Sequence, residues 1–142
     1  MELMQVLDQY HIAADRFSRG DPTFIKSIFS HRDDVILANP FGPAVRGWKK
    51  VSEALDYASS RMREGYVKEF ETIGEYETPE FATIVEREHW NAKVSGRDEL
   101  STFDLRVTNI FRCEDGEWKL VHRHADPIST FDPDGPLRKM SS

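Results

Sequence analysis

At 142 residues the chain is long enough for one domain with a sizeable buried core, and its 39% hydrophobic and 31% charged residues are typical of a folded globular protein. The formal net charge of −6 argues against nucleic acid or an anionic membrane surface as a partner. The single cysteine, Cys113, excludes an internal disulfide, and no apolar run reaches the length of a membrane span.

Two helices are predicted at the N-terminal end. Apolar residues recur at helical spacing through residues 1–19, and Gly20 ends that helix. Asp21 is suited to cap a second, shorter helix, with Pro22 at the first helical position, where a missing N–H does no harm. The opening residues lack the basic and then apolar order of a signal peptide, so we expect a cytoplasmic location.

A short strand and a third helix follow. The strand is predicted over Val35–Asn39 and ends at Pro40, which has no N–H to give to a sheet. The third helix is predicted from Gly47 to about Glu64, with an apolar stripe along one face, and Gly65 stops it.

Long strands make up the second half of the chain. Residues 67–77 and 81–95 alternate with a period of two, and a hairpin spans Leu100 to Asp126. Helices first and long antiparallel strands afterwards predict an α+β domain over residues 1–127. The composition of residues 128–142 shifts to Pro, Asp, Gly and Ser, which predicts a loosely held C-terminal tail.

The turn of the last hairpin decides which side chains share a face. A two-residue turn at Asp115-Gly116 would pair Asn109 with His122, whereas a three-residue loop ending at Gly116 would pair Asn109 with Val121. We predict the three-residue form, because it requires a positive φ only at the glycine. This register places one set of residues on the inner face of the sheet: Phe103, Leu105, Val107, Asn109, Val121, Arg123 and Ala125.

The opposite face of the hairpin would form the outer surface of the protein, and it carries aromatic and apolar residues that an exposed surface of a small acidic protein does not need. Such a face is typical of a dimer interface, so we predict a homodimer. The residues predicted at this interface are Arg106, Thr108, Trp118, His122 and His124. The alternation of His122, His124 and Asp126 could also bind zinc, but the interface explains the face better, and we predict no metal and no cofactor.

Several stretches resemble the nuclear transport factor 2-like superfamily: the helix, Gly-Asp and short helix at the start, then Asp34–Pro43 and Arg46-Gly47. The hairpin from Leu105 to His124 is similar to the SnoaL-like branch of that superfamily. The resemblance implies a cone-shaped, cystatin-like fold, with three helices packed in a strongly curved, mostly antiparallel sheet. Members commonly pair through the outer sheet face. Their roles range from ketosteroid isomerases, dehydratases and polyketide cyclases to non-catalytic binding and assembly domains.

The resemblance also implies three site positions. The tyrosine of the ketosteroid isomerase-like proteins falls on Tyr10, their general-base aspartate on Asn39, and their protonated aspartate on Asn109. Steroid isomerisation by the family mechanism is disfavoured, because Asn39 has no ionisable group and cannot take a proton. Tyr10 and Asn109 could still donate hydrogen bonds to a carbonyl oxygen.

A replacement base is available on the predicted strand over residues 81–95. Glu86 and Glu88 lie on the face assigned to the cleft, and Glu86 is our candidate for the proton carrier. The structural alternative is that either carboxylate simply pairs with Arg123 across the sheet. The remaining residues predicted to contact a ligand are Phe17, Phe41, Trp48, Trp90, Val107, Val121 and Arg123.

Two functions therefore remain open from the sequence. The first is an isomerase, cyclase or dehydratase that acts on a small, mostly apolar carbonyl compound through Tyr10, Glu86 and Asn109. The second is a non-catalytic binding or assembly module, which the two asparagines favour because they form hydrogen bonds and do not transfer protons.

Overall fold

Three helices and six strands make up the computed structural model, which describes residues 2–127. The predicted tail at 128–142 lies outside the described residues. The elements in chain order are α1 (Leu3–Phe17), α2 (Thr23–Ile28), β1 (Ile36–Ala38), β2 (Val45–Arg46), α3 (Trp48–Ser60), β3 (Met62–Glu77), β4 (Phe81–Val94), β5 (Ser101–Glu114) and β6 (Glu117–Pro127).

The six strands form one curved sheet in the order β2-β1-β6-β5-β4-β3. All neighbours are antiparallel except β1 and β6, which run parallel. The predicted α+β class is confirmed, with the helices lying along one face of the sheet. The buried apolar faces of α1 and α3 pack with the inner face of the long strands into one core. Within residues 2–127, no helix is both long enough and apolar enough to cross a membrane.

The predicted helix boundaries need small corrections. The second helix begins at Thr23, one residue after Pro22, and the Asp21 side chain accepts a hydrogen bond from the Thr23 N–H at 3.0 Å. The third helix ends at Ser60, four residues earlier than predicted, because the chain has already entered β3 at Met62.

The predicted three-residue turn of the last hairpin is wrong. The turn has two residues, Asp115 with φ of 52° and Gly116 with φ of 84°, and both lie in the left-handed region that this hairpin turn requires. A bulge further along β6 restores the core, because Val121 is an extra residue between two paired positions. Asn109 is consequently opposite Arg123, and not opposite Val121 or His122.

The bulge preserves part of the predicted face assignment and overturns the rest. Arg123 and Ala125 point inward as predicted, since moving the partner of Asn109 by two residues leaves the alternation unchanged. Between the turn and the bulge, the residues predicted on the outer face point inward. Leu120 is one of them, and it is completely buried opposite Phe111. Trp118, predicted at a dimer interface, instead lies on the helix side beside residues of α1 and α2.

Candidate ligand-binding site

A narrow hollow of about 40 Å³ lies between α1 and the inner face of the sheet. This is space for about three water molecules. Fifteen residues of the described range 2–127 line it; twelve of them are apolar, and the polar ones are Tyr10, Asn39 and Arg123. The apolar residues are Ala14, Phe17, Ile25, Leu37, Pro40, Phe41, Leu55, Ala58, Met62, Trp90, Leu105 and Ala125.

A buried hydrogen-bonded cluster forms the polar wall of the hollow. The Tyr10 hydroxyl on α1 donates to Glu88 Oε2 at 2.5 Å and accepts a hydrogen bond from Arg123 Nη1. Arg123 Nη2 donates to Glu88 Oε1 at 3.3 Å, and Trp90 Nε1 donates to the same oxygen at 3.0 Å. Tyr10 and Glu88 are 1% and 0% exposed, so the ion pair between Glu88 and Arg123 is screened from water.

The electrostatics of the cluster keep the three groups in fixed charge states. Burial raises the pKa of Tyr10 well above its ordinary value, although the Arg123 charge opposes this shift. Burial alone would raise the pKa of Glu88, but Arg123 and the hydrogen bonds from Tyr10 and Trp90 outweigh it, so this pKa is lowered. Glu88 and Tyr10 outweigh the effect of burial on Arg123 and raise its pKa. The wall therefore holds a neutral phenol between a carboxylate and a guanidinium.

Glu86 lies two residues before Glu88 on the same inner face of β4, but it does not line the hollow. Its Oε2 is 2.9 Å from His11 Nε2, and the His11 ring stacks on Phe70 with 3.9 Å between ring centres. Burial raises the pKa of Glu86, against the effect of His11, and the nearby Glu88 raises it further. Glu86 thus connects the cluster to a partly exposed histidine and does not contact the hollow directly.

Asn109 is buried behind Arg123 and also does not line the hollow. Its Oδ1 accepts from Arg123 Nη1 at 3.5 Å, while its Nδ2 has no hydrogen-bond partner among residues 2–127. The Oε1 atom of Glu86 is likewise buried without a partner in this part of the chain. The Asn109 amide therefore supports the guanidinium and does not form a wall of the hollow.

The structure brings together some of the predicted site residues and separates others. The predicted residues that line the hollow are Tyr10, Phe17, Asn39, Phe41, Trp90 and Arg123. Trp48, predicted at the cleft mouth, instead stacks on His31 with 3.9 Å between ring centres. Val107 and Val121 are buried in the core and do not line the hollow.

An apolar groove of about 190 Å³, here called the outer groove, lies beyond the hollow. It shares Pro40, Phe41, Met62 and Leu105 with the hollow, so these four residues form a neck between the two spaces. Among residues 2–127, only apolar residues line the outer groove, and Val94, Phe103 and Pro127 complete it. The Asn39 side chain fixes one side of the neck, since its Oδ1 accepts a hydrogen bond from the Phe41 N–H at 3.0 Å.

The outer sheet face carries four of the predicted interface residues. His122 and Ile110 pair on this face, as do His124 and Thr108, and Arg106 forms an ion pair with Asp126 at 2.9 Å. These side chains face away from the hollow as predicted. Partial burial and the neighbouring His124 lower the pKa of His122.

The sequence missed one member of the cluster, because His11 was not considered. The partner of Arg123 is Glu88, one of the two carboxylates that the structural alternative paired with Arg123. The alternation along β4 places both glutamates inward but gives no distance to Arg123. One available signal was the spacing of Tyr10 and His11 on α1, which directs adjacent polar rings toward adjacent inward carboxylates.

Comparison with known proteins agrees with this architecture. The chain matches the model of the SnoaL-like domain over residues 3–128. A nuclear transport factor 2 (NTF2-like) superfamily protein from Salmonella enterica serovar Typhimurium is similar, with a TM-score of 0.76 at 16% identity over 92% of each chain. A protein named as a proposed dehydratase of the NTF2-like family, from Streptomyces avermitilis, has a TM-score of 0.69 at 19% identity, covering 90% of this chain and 94% of its own.

A ketosteroid isomerase-like protein from Erwinia carotovora atroseptica has a TM-score of 0.69 at 16% identity, covering 90% of this chain and 95% of its own. No curated protein matches the sequence. The curved sheet and the hollow beneath it define an α+β protein of the NTF2-like type. The chain belongs to the SnoaL-like domain family. At these identities the solved structures establish the fold, and they leave the activity to be argued from the site.

Proposed function

We propose that the protein binds a small, mostly apolar carbonyl compound in the hollow and acts on it as an isomerase, cyclase or dehydratase. The observation that supports this is the buried cluster of Tyr10, Glu88 and Arg123 at the wall of an otherwise apolar hollow. An ion pair removed from water contributes little net stability. Perturbed ionisable groups at a concave site are typical of catalysis, so a function in chemistry explains the cluster better than a function in folding.

The hydrogen-bond donors that remain available in the hollow favour a ligand whose oxygen accepts hydrogen bonds. Arg123 has five N–H groups, of which three are used within residues 2–127 by Tyr10, Asn109 and Glu88. The amide nitrogen of Asn39 is the second available donor, because its oxygen is already bonded to the backbone of Phe41. A carbonyl oxygen placed between these donors would be polarised, and an enolate oxygen would be stabilised more strongly.

The proton transfer that we propose is an enolisation. A C–H bond beside the carbonyl breaks and its proton passes to the Tyr10 oxygen, while the Tyr10 hydroxyl proton passes to Glu88. In a β,γ-unsaturated carbonyl compound, returning the proton to the γ-carbon moves the double bond and completes an isomerisation, with no net oxidation or reduction. Tyr10 never carries a full negative charge in this concerted exchange, which agrees with its raised pKa. Glu86 and His11 would exchange the stored proton with solvent, which replaces our prediction that Glu86 contacts the ligand.

A non-catalytic binding module is the second candidate, and one observation favours it. No carboxylate lines the hollow within residues 2–127, and an asparagine stands where the isomerase-like relatives place their base. Such a protein would hold the same ligand by the same donors without moving a proton.

Deuterium exchange into a ligand separates the two candidates. A small ketone such as butanone, incubated with the protein in heavy water, should gain deuterium beside the carbonyl, and Tyr10→Phe should slow this by about 100-fold or more. Tyr57→Phe, at an exposed tyrosine on α3, is the matched control and should leave the rate unchanged. Binding without exchange would select the non-catalytic module. An unchanged rate in Glu86→Gln would remove Glu86 from the proton path.

We also propose that the outer sheet face pairs with a second copy of the chain. The exposed or half-buried side chains of Arg106, Thr108, His122 and His124 share this face with Ile73 and Val85. Apolar residues among mobile polar groups on one broad surface are typical of a subunit interface.

A further inference from the structure

We propose that the ligand is a straight-chain acyl compound with a neutral carbonyl head, whose chain passes through the neck into the outer groove. This inference deepens the proposed function and rests on it, because the carbonyl is placed at the same donors of the hollow. What it adds is the shape of the substrate and a set of residues that recognise its length.

The two spaces differ in size, and the difference favours a linear ligand over a compact one. The inner hollow of about 40 Å³ has room for a small head group, whereas the outer groove of about 190 Å³ is several times larger. A compact ring system placed wholly inside would displace the buried side chains around it. A linear chain needs only the head group inside, and its body can occupy the larger space.

The polar and apolar residues of the two spaces are segregated, and this favours a ligand with one polar end. The donors Arg123 and Asn39 belong to the inner hollow, and every residue of the described part of the chain that lines the outer groove is apolar. A ligand that fills both spaces therefore has its oxygen at one end and an uninterrupted apolar body. Polar groups along the body would lose their hydrogen bonds to water without replacement.

The neck joins the two spaces, and its residues can adapt to a chain. Phe41 is half-buried in the short connection after β1, and Met62 is an unbranched side chain at the start of β3. Local charge supports a neutral head group, since the positive charge of Arg123 is already opposed by Glu88. A carboxylate would place a second negative charge beside that buried glutamate.

A chain-length series tests the inference. The probes are methyl ketones from butanone through hexanone and octanone to decanone, titrated calorimetrically into the full chain. We expect the affinity to rise about fourfold per added methylene until the outer groove is filled. A charge at the outer groove should remove this gain for the longer ketones and leave butanone unaffected.

The variants are chosen to separate the groove from general damage. Val94→Asp places a carboxylate in the outer groove, and Val67→Asp is the matched control, because it is also a half-buried valine of a long strand but lines neither the hollow nor the outer groove. Pro127→Asp, at an exposed residue of the same groove, gives an independent reading if Val94→Asp does not fold.

Each outcome decides a different statement. A length-dependent affinity that is lost in Val94→Asp or Pro127→Asp and kept in Val67→Asp supports the inference. Tight binding of cyclic ketones with no length dependence for the straight-chain series overturns the inference and leaves the proposed function standing. Binding of neither class overturns both.

Discussion

Two glutamates on the same face of β4 have opposite pKa shifts, and their neighbours explain the difference. Glu88 contacts a guanidinium and two neutral donors, and these lower its pKa despite complete burial. Glu86 has only His11 as a partner and one buried oxygen without any in residues 2–127, so burial dominates and its pKa is raised. The pair follows the pattern of sites where the surroundings shift the pKa values of two carboxyl groups in opposite directions.

Removing the Tyr10 hydroxyl should lower the free energy of unfolding as well as the rate of deuterium exchange into the ketone. Tyr10→Phe leaves a lone pair of Glu88 and one N–H of Arg123 without a partner in a buried site, which should cost about 1–3 kcal/mol. Urea unfolding measures the change. Tyr57→Phe on the exposed surface should stay within about 0.5 kcal/mol of the wild type. Equal effects of the two variants would mean that the cluster is not hydrogen-bonded as described.

The stability of a Glu86→Gln variant should depend on pH in a defined direction. The folded protein holds the Glu86 proton more tightly than the unfolded chain, whose pKa is near 4.5. Above that value the folded state binds more protons, so this group lowers the free energy of unfolding as the pH rises toward its folded pKa. Glutamine lacks this effect, and the variant should therefore gain stability relative to the wild type as the pH rises above about 4.5.

Unfolding in urea across that pH range checks this prediction. The control is Glu75→Gln, at an exposed position on β3, which should follow the wild-type curve within about 0.5 kcal/mol at each pH. A constant difference between Glu86→Gln and the wild type across the range would contradict the raised pKa.

At the scale of the element, the β5–β6 hairpin shows what sequence patterns could and could not predict. The alternation correctly placed Val107, Asn109, Arg123 and Ala125 on the inner face. The turn and the bulge were missed for different physical reasons. The strain of a positive φ at Asp115 is small for an aspartate, and the pairing of the two strands offsets it. The position of the bulge depends on core packing around Leu120, which no local sequence pattern contains.

The two-residue turn makes a prediction about its glycine. Gly116→Ala forces a Cβ into the left-handed region and should lower the free energy of unfolding by about 1–2 kcal/mol. Gly96→Ala is the matched control, because that turn glycine does not have a positive φ and an added Cβ would meet nothing within 4 Å. Thermal unfolding of both variants measures the difference, and equal melting temperatures would argue against the turn.

At the scale of the whole molecule, the fold followed from the sequence and the site followed only in part. Periodicity located three helices and four long strands, and the resemblance to the SnoaL-like branch supplied the cone around them. Tyr10, Asn39 and Arg123 line the hollow, and Glu88 pairs with Arg123 as in the structural alternative for the two glutamates. The distance from each glutamate to Arg123 could not be predicted, because a contact between strands two positions apart in the sheet depends on side-chain directions that sequence spacing does not fix.

The proposed pairing through the outer sheet face also belongs to this scale. Ile110→Asp places a charge at the centre of that face, opposite His122, and should convert a dimer into a monomer at micromolar concentration. Sedimentation velocity measures the molecular mass. Ile12→Asp, at an exposed residue of α1, is the control and should leave the association unchanged. A monomeric wild-type protein, or a dimer that tolerates Ile110→Asp, would contradict the interface.

The most direct test of the central claim is a crystal structure of the protein grown with octanone. The account predicts that the carbonyl oxygen lies within hydrogen-bonding distance of Arg123 or of the Asn39 amide nitrogen, with the chain between Phe41 and Met62. A ketone bound only on the outer sheet face, or with its carbonyl directed away from the cluster of Tyr10, Glu88 and Arg123, would contradict it.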